Sequence, residues 1–406
     1  MDLSFYSNFS SSLVAQENQL NALQQQISTG YAVQTPDQGP AAYQTAALAS
    51  DQVYQLANDT TTQSDIQVQL GSVSDAYSAT SSLFDNVQSL VEQALNGTTN
   101  SQNMNALATQ VQSASQQLLS LANGTAPNGT YLFGGSRGGL APFQQDATGN
   151  IVYFGDGGSS QATIAQGLTS GTIANGDVFV SSLTGDGVAS VAANSSNTGT
   201  GQIIPQGTVN AAAANAFQQG SAPITVSFGT SSTGQTTYTA SQNGSAVSTG
   251  TLTSTATGST VVQLAGVDYE ITGNPASGDS FTLSPSRPQS AFALLQTIAS
   301  ALTGASGTPA QVAQTDQVLN QSLATLAQYQ QSVTTAQAQT GVTLQALSAA
   351  SASNTSQSTQ AQTSINNATA VNMPVALTAL EETSTALQAA MKTFSTVQGL
   401  SLFSYL

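Results

Sequence analysis

The chain has 406 residues and a formal net charge of -16 at pH 7, yet only 5% of its residues are charged, against roughly 25% in ordinary soluble domains. Its basic residues are Arg137, Arg287 and Lys392. Nucleic acids and anionic membranes are bound through clusters of Lys and Arg, so this composition excludes both as partners. The absence of Cys and His excludes disulfides, thiol chemistry and imidazole-based metal or acid–base sites.

The N-terminal segment combines neither a basic stretch nor an apolar stretch, so we expect no cleaved secretory signal. No run of about 20 apolar residues occurs, so we also expect no membrane span.

The first predicted helix carries apolar residues at heptad-like spacing: Leu13, Leu20, Leu23 and Ile27. A loop is predicted from Thr29 to Pro40, where Gly and Pro interrupt the pattern. The next stretch has the most regular apolar pattern in the chain, with alternating steps of four and three residues. Such spacing is typical of a coiled-coil seam. The stripe comprises Ile66, Leu70, Val73, Tyr77, Thr80, Phe84, Val87, Val91 and Ala94.

This second helix is expected to end at Asn96–Gly97, where glycine supplies a left-handed cap. A third helix is predicted up to Asn123–Gly124, with a similar stripe of Met104, Leu107, Val111, Ala114, Leu118 and Leu121. Two such seams joined by a short turn predict an antiparallel helical hairpin.

From about Gly129 to Leu283 the pattern changes to β-branched and aromatic segments separated by Gly, Asn and Asp. This texture predicts a domain of strands and turns. Strands are expected at 150–154, 224–228 and 268–271, and a short helix within Thr208–Gly220.

Helical patterns return at Pro288. A short helix ending at Gly304 carries Phe292, Leu295, Ile298, Ala299 and Leu302. A long helix beginning near Thr308–Pro309 carries Val312, Leu319, Leu326, Val333 and Leu344. The last helix opens at Asn372, which can cap it, and its stripe is Leu377, Leu380, Ser384, Leu387, Met391 and Phe394.

Apolar stripes on long helices must be covered, and both terminal thirds carry them while the middle does not. We therefore expect a mainly α fold with an inserted, Gly/Thr-rich β domain, whose N- and C-terminal long helices form a coiled-coil-like bundle. The expected domains are 1–50 plus 362–406 (terminal helices that form the assembly core), 51–140 plus 288–361 (helical bundle) and 141–287 (outer β-rich domain).

Three segments, at 26–40, 128–143 and 392–403, resemble motifs of the bacterial flagellin family. In the first segment the matching residues are Gln26, Ser28, Thr29, Gly30, Pro36 and Pro40; in the second they are Tyr131, Phe133, Gly135, Pro142 and Phe143. In the tail they are Gln398, Gly399, Leu400, Ser401, Leu402 and Phe403, following Leu387 and Phe394 of the last stripe. We take all of these as candidate assembly residues.

The resemblance implies a structural subunit of the flagellum, exported through the flagellar type III apparatus without cleavage and held beforehand by a cytoplasmic export chaperone. The tail is similar to that of the family member at the junction between hook and filament. It therefore implies a ring or helical assembly of the chain with itself, between hook-associated protein 1 and flagellin. Two alternatives stay open: a flagellin-type filament subunit, and a surface adhesin that uses the central β domain as its binding module.

Acidic residues offer little support for another kind of site. Glu381–Glu382 lack neighbouring groups that would tune them for catalysis, and Asp156 and Asp279 lie in Gly-rich turns without the spacing of a calcium loop. The segment Gly134–Gly139 lacks the spacing of a phosphate loop. We therefore expect no enzyme activity, no metal and no cofactor.

Overall fold

The computed structural model describes residues 3–96, 101–158, 161–165, 168–171, 174–252, 259–305 and 307–403. These residues form long helices at both ends of the chain and a strand-rich region between them. The helices are α1 (Leu3–Thr29), α2 (Pro40–Leu95), α3 (Ser101–Ala122), α4 (Ala211–Gln219), α5 (Ala291–Gly304), α6 (Pro309–Thr369) and α7 (Met373–Phe403). The predicted fold class is confirmed. The proposed glycine cap at Gly97 lies outside the described residues.

Fourteen strands are described. The first seven are β1 (Phe143–Gln145), β2 (Ile151–Tyr153), β3 (Gln161–Ala165), β4 (Leu168–Gly171), β5 (Ser182–Leu183), β6 (Ala189–Ala193) and β7 (Gln202–Thr208). The others are β8 (Ile224–Thr230), β9 (Thr236–Gln242), β10 (Ser245–Thr251), β11 (Thr260–Leu264), β12 (Val267–Thr272), β13 (Ser280–Pro285) and β14 (Pro288–Gln289).

Contacts between Cα atoms divide the chain into two compact units. Unit 1 comprises Met1–Gln63, Ile164–Gln166 and Ser348–Leu406, and unit 2 comprises Ser64–Thr163 and Gly167–Leu347. Residues of α2 and α6 contribute to both units. The three-part domain division drawn from the sequence stays a prediction.

The helical core of unit 2 is built on the α2 stripe. All nine predicted stripe residues are buried, from Ile66 at 2% exposure to Ala94 at 2%. Six of them, Val73, Tyr77, Phe84, Val87, Val91 and Ala94, share one core with apolar side chains of α3, α5 and α6. The predicted seams of α2 and α3 therefore belong to a core of four helices and not to a hairpin alone.

Three residues of the predicted α3 and α6 stripes are not buried: Leu121, Val312 and Leu344. Val312 is 43% exposed, because the first turns of α6 instead bury Ala313 and Gln317. Leu121 is only partly buried, and Ala122 takes the fully buried position at the end of α3.

The β-rich part of unit 2 contains a five-stranded sheet, β10-β9-β8-β13-β6, and a three-stranded sheet, β11-β12-β7. All pairings within both sheets are antiparallel. Alternate residues of the two sheets point into one shared apolar core, which includes Val226, Phe281 and Leu283 from the first sheet and Tyr269 and Ile271 from the second.

At two places in the β-rich part, one charged side chain forms hydrogen bonds with several backbone groups of an irregular segment. The buried Asp279 carboxylate accepts hydrogen bonds from the backbone N–H groups of Thr198, Gly199 and Ala276 at 2.8–3.0 Å. The Arg287 guanidinium donates to the carbonyl oxygens of Gln218 (3.0 Å) and Gly220 (2.7 Å). Arg287 thereby satisfies carbonyl groups at the C-terminal end of α4, where a positive charge is favourable.

A row of polar side chains on α6 bonds to the backbone of the β-rich part. The Gln317 amide accepts from Ile203 N (2.8 Å) and donates to Ile203 O (2.9 Å), as a neighbouring strand would. Gln321 accepts from Val191 N at 2.9 Å. Ile203 lies on β7 and Val191 on β6, which are edge strands of their sheets among the described strands. The row therefore satisfies backbone groups that an open sheet edge leaves unpaired.

Three buried polar atoms lie together at the turn that precedes β6. Asp186 Oδ1 accepts from Val188 N and Ala189 N at 2.9 and 2.8 Å. Asp186 Oδ2, Tyr269 Oη and Gln321 Nε2 are shielded from solvent and have no hydrogen-bond partner of ordinary geometry. Burial raises the pKa of the Asp186 carboxyl above its ordinary value, although the two backbone N–H groups oppose this. Burial and then the Asp186 charge raise the pKa of Tyr269.

This environment predicts a pH-dependent effect of Asp186→Asn. The amide keeps the acceptor for both N–H groups but carries no charge, so the variant avoids the cost of burying a carboxylate. A raised carboxyl pKa in the folded state means that the wild type loses stability as the pH rises from the unfolded value through the folded one. The free energy of unfolding, measured by urea titration at a series of pH values, should therefore favour the variant increasingly as the pH rises above about 4, until it passes the folded-state pKa.

Asp186→Ala serves as the control for this prediction. It removes the acceptor of both N–H groups and should lower the free energy of unfolding by about 2 kcal/mol. A difference between the wild type and Asp186→Asn that does not change with pH would contradict the assignment.

Candidate assembly surface

The terminal helices α1 and α7 of unit 1 pair antiparallel. At one end of the pair the rings of Phe9 and Phe394 stack, with centroids 5.0 Å apart and planes inclined by 6°. At the other end Val371 N, just before α7, donates to Gly30 O at 2.9 Å. An isolated β-bridge joins Tyr31 to Ala370 beside this bond. The first motif is therefore held against the α6–α7 connection.

The seam of α1 is only half covered. Its partly buried positions recur in steps of four and three residues, which is the coiled-coil period. Among the α1 side chains that the structure describes, from Ser7 to Thr29, none is fully buried. The seam residues are Phe9, Leu13, Gln16, Leu20, Leu23 and Ile27. A two-helix pair leaves this seam open to one side.

The α7 stripe agrees with its prediction at four of six residues. Leu380, Ser384, Leu387 and Phe394 are partly buried as expected. Leu377 is 47% exposed and Met391 is 48% exposed. The smaller Ala376 and Ala390 turn inward near these positions, because one partner helix covers only a narrow strip of α7 and small side chains allow a close approach.

Further apolar side chains of unit 1 are exposed. They lie on α1, on the first half of α2, in the loop between them and along α7: Val14, Tyr31, Tyr43, Leu48, Tyr54, Met373, Val375, Leu377 and Met391. Tyr54 is 69% exposed and Leu48 is 64% exposed. Exposed apolar side chains in such number are typical of a protein–protein contact surface.

Hydrogen bonds account for most of the first motif. Gly30 adopts φ +77° and its N–H bonds to Gln26 O at 2.8 Å, which ends α1. The Gln26 amide donates to Ala32 O at 3.2 Å. Thr29 accepts at 2.8 Å from the side chain of Gln34. Pro40 is the first residue of α2, where a missing N–H costs nothing. Ser28 and Pro36 are exposed.

The second motif forms the end of the helical core in unit 2. Phe133 and Phe143 are buried, and both pack edge-on against Phe179 with ring centroids 5.0 and 5.5 Å apart. Pro142 is also buried, whereas Tyr131 is half-buried. These aromatic residues therefore anchor a core and do not present a ligand platform.

Residues outside the motif complete this arrangement. The Asn123 amide bonds to both the N–H and the carbonyl of Phe143, at 3.0 and 2.8 Å. The Tyr153 hydroxyl donates to Phe133 O at 3.1 Å and accepts from Gly176 N at 2.8 Å. The Asn123–Gly124 pair predicted only a helix end, so the sequence carried no signal for the bonding role of Asn123.

The third motif is described only in its backbone. Residues 398–403 continue α7 as a helix, but their side chains lie outside what the structure describes. The parts that Gln398, Gly399, Leu400, Ser401, Leu402 and Phe403 play in assembly stay a prediction, as do those of the other motif residues.

The acidic residues considered as ligands are used inside the fold. Asp156 accepts from the N–H (2.7 Å) and hydroxyl of Ser136 and lies 3.7 Å from Arg137 Nε; these bonds and the arginine lower its pKa. Asp279 binds the three N–H groups given above. Within the described part of the chain, no cluster of three or more Asp or Glu residues could hold a metal ion, and no helix combines the length and apolarity needed to cross a membrane.

The N-terminal third of the chain matches the sequence pattern of a known protein family. The sequence pattern of the bacterial flagellin N-terminal helical region matches residues 2–137. The resemblance to this family is thereby confirmed. The segment at 26–40 falls within the match, as do residues 128–137 of the second segment, whereas Pro142, Phe143 and the segment at 392–403 lie beyond it.

Individual relatives are flagellar hook-associated proteins. Flagellar hook-associated protein 3 of Escherichia coli (strain K12) is 29% identical over 174 residues, which are 43% of this chain and 54% of that protein. The protein of the same name in Salmonella typhimurium is 34% identical over 132 residues, 31% of this chain and 40% of that protein. The chain thus spans about half the length of these relatives or less.

A solved structure extends the similarity over the fold. The crystal structure of Xanthomonas campestris FlgL is 28% identical to this chain, with a TM-score of 0.67. The match covers 79% of this chain and 99% of that one. The fold of this chain is therefore similar, over most of its length, to that of a FlgL structure.

Gly135 in the second motif permits a sharp test of this core. Its φ is +65°, and a Cβ atom there would overlap the carbonyl and carboxylate oxygens of Asp156. Gly135→Ala should therefore lower the free energy of unfolding by on the order of 3 kcal/mol. Gly139→Ala is the matched control, because a Cβ at Gly139 meets nothing within 4 Å. Equal stabilities of the two variants in urea titrations would contradict the packing described here.

Proposed function

We propose that this chain is a structural subunit of the bacterial flagellum that joins the hook to the flagellin filament. The open α1–α7 seam is the observation that carries the proposal, since a half-covered heptad stripe requires a further helix to complete its burial. The similarity to hook-associated protein 3 and to FlgL supports the junction position. The filament-subunit and adhesin alternatives have no comparable support.

The composition suits repeated contacts between identical subunits. The seam and the exposed surface of unit 1 combine the apolar side chains named above with Ala, Ser, Thr and Gln, and Lys392 is the basic residue of α7. Packing such surfaces together buries apolar area while desolvating few charges, which avoids the main cost of a polar interface. A contact of one face with a different face of the next copy can then repeat around a ring.

The partners follow from this position. We infer that the chain assembles with itself, with hook-associated protein 1 on the hook side and with flagellin on the filament side. We also infer that a cytoplasmic chaperone holds it before export, that the flagellar type III apparatus exports it without cleavage, and that its final location is extracellular.

Deletion of the gene tests the junction position. The deletion strain should assemble hooks that carry no filament and release flagellin into the medium, because the first flagellin subunits lose their attachment surface. Electron microscopy of the hooks and immunoblotting of the medium measure this. Filaments attached to the hooks of the deletion strain would refute the junction proposal and favour the filament-subunit alternative.

The half-covered seam makes a separate prediction for the purified monomer. Backbone amides of α1 and α7 should exchange hydrogen much faster than those of α3 and the 64–95 part of α2, because a helix owes most of its stability in water to packing and these two helices are poorly buried. Assembly with neighbouring copies should slow that exchange. Equal protection of terminal and core helices in the monomer would show that the seam needs no further partner.

A further inference from the structure

Each of the two long helices that contribute to unit 2 contains one glycine in the part that belongs to this unit. Gly71 lies in the middle of α2 and Gly341 in the middle of α6. A Cβ atom added at either position would meet nothing within 4 Å. Packing therefore does not require glycine at either site, although glycine lowers the local helix-forming equilibrium about fivefold relative to alanine.

The two glycines lie at the same level of the α2–α6 pair. The Gln337 amide donates to the Ser78 hydroxyl at 2.9 Å, and the rings of Phe84 and Tyr329 are 5.7 Å apart. These contacts fix an antiparallel register between the helices. Counting from them places Gly71 opposite residues 342–344, within about one helical turn of Gly341.

Packing is also light at this level. Of residues 334–346 on α6, Thr340 is the one that is buried, whereas Val333 before them and Leu347 after them are almost fully buried. A half-open cavity of about 350 Å³ lies here, lined in part by Leu70, Val73, Tyr77 and Thr340. The Oε1 atom of Gln69 is shielded from solvent without a hydrogen-bond partner.

We propose that the α2–α6 pair bends at this level, which we call the glycine level (residues 69–73 and 339–343). Helices kink where glycine removes side-chain support or where the hydrogen-bond ladder can open. Here both helices are weakened together, and little packing between them resists a change of angle. A bend in one helix alone would be opposed by its partner, so the coincidence of the two glycines matters more than either one.

This inference rests on the proposed function for its meaning. A subunit that connects two different helical lattices must take slightly different shapes at the two contacts. A bend at the glycine level changes the direction of the helix pair without breaking the core around Phe84 or the packing around Leu347. The part of the helical core that is closely packed can then stay rigid.

Hydrogen exchange with peptide-level mass spectrometry tests the bend on the purified full-length chain. In the wild type, amides at residues 66–76 and 336–346 should exchange faster than those at residues 80–92 of α2 and 320–332 of α6. Gly71→Ala should slow exchange about fivefold at 66–76. It should also slow exchange at 336–346, which it does not touch in sequence, because the two helices open together.

Ser89→Ala is the matched control. Ser89 is exposed on the same helix, and its replacement also raises helix propensity, but five turns away from Gly71. It should leave exchange at both glycine segments unchanged. The reciprocal variant Gly341→Ala should reproduce the result from the other helix.

Three outcomes would overturn the inference: equal exchange of the glycine segments and their flanks in the wild type, slowing that stays confined to the mutated helix, or slowing of the whole of α2 by Ser89→Ala as well. None of these measurements depends on the hook or the filament. A negative result would therefore leave the junction position untouched, and attached filaments in the deletion strain would leave the bend untouched.

Discussion

The packing of α2 against α6 is the interaction on which the rest of unit 2 depends. The stripe of α2 buries nine residues, each worth roughly 1.5–3 kcal/mol where it is large and apolar, and a helix of that kind cannot remain uncovered in water. The covering residues come from far along the chain, since Gln330 bonds to Asp85 across 245 positions. Since α3 and α5 also belong to this core, the strand-rich segment between α3 and α5 leaves the bundle and returns to it. The β-rich part is the consequence, because strands can bury their own apolar face while α6 passes beside them.

The same helix serves both kinds of partner because its faces differ. Toward α2 it presents Leu326, Tyr329 and Val333, which are almost fully buried. Toward the strands it presents Gln317 and Gln321, whose amides replace a missing neighbouring strand. A neutral amide offers a donor and an acceptor at once and pays less for burial than an ion does. A chain with 5% charged residues thus fixes its parts together mainly through amides and hydroxyls, and Arg287 and Asp279 are placed where several backbone groups converge.

Periodicity predicted those parts of the fold in which one physical requirement dominates. The α2 stripe was correct at every residue, because a long helix buried along one side leaves a strict 3.5-residue repeat. The predictions from periodicity were wrong where a helix changes partner along its length. Val312 followed the apolar spacing but lies where α6 turns its amides to the strands, and Leu377 and Met391 lie beside the strip of α7 that α1 covers. Gln317 and Gln321 also lie four residues apart on α6. From sequence alone, polar residues at such a spacing are interpreted as facing solvent, because the strand edges to which they bond are not yet known. In the candidate assembly surface, the motifs indicated which segments matter, whereas the bonding of Asn123 and Tyr153 depends on contacts between distant parts of the chain that no local pattern contains.

The contrast between a closed core in unit 2 and an open seam in unit 1 agrees with the proposed function, because a subunit that folds before it assembles is under one constraint. Enough apolar surface has to be buried within the single chain to hold it together, and enough has to remain for the contact with the next copy. If the α1–α7 seam were closed by large side chains within the monomer, a neighbour would gain little area by docking there. If unit 2 were equally open, the isolated chain would expose both sheet edges and the aromatic core of the second motif to unwanted pairing. Concentrating the uncovered stripe in α1 and α7 separates the two requirements. The low charge of those helices then leaves the contact governed by shape and apolar area, which is the condition under which identical subunits can repeat one contact many times.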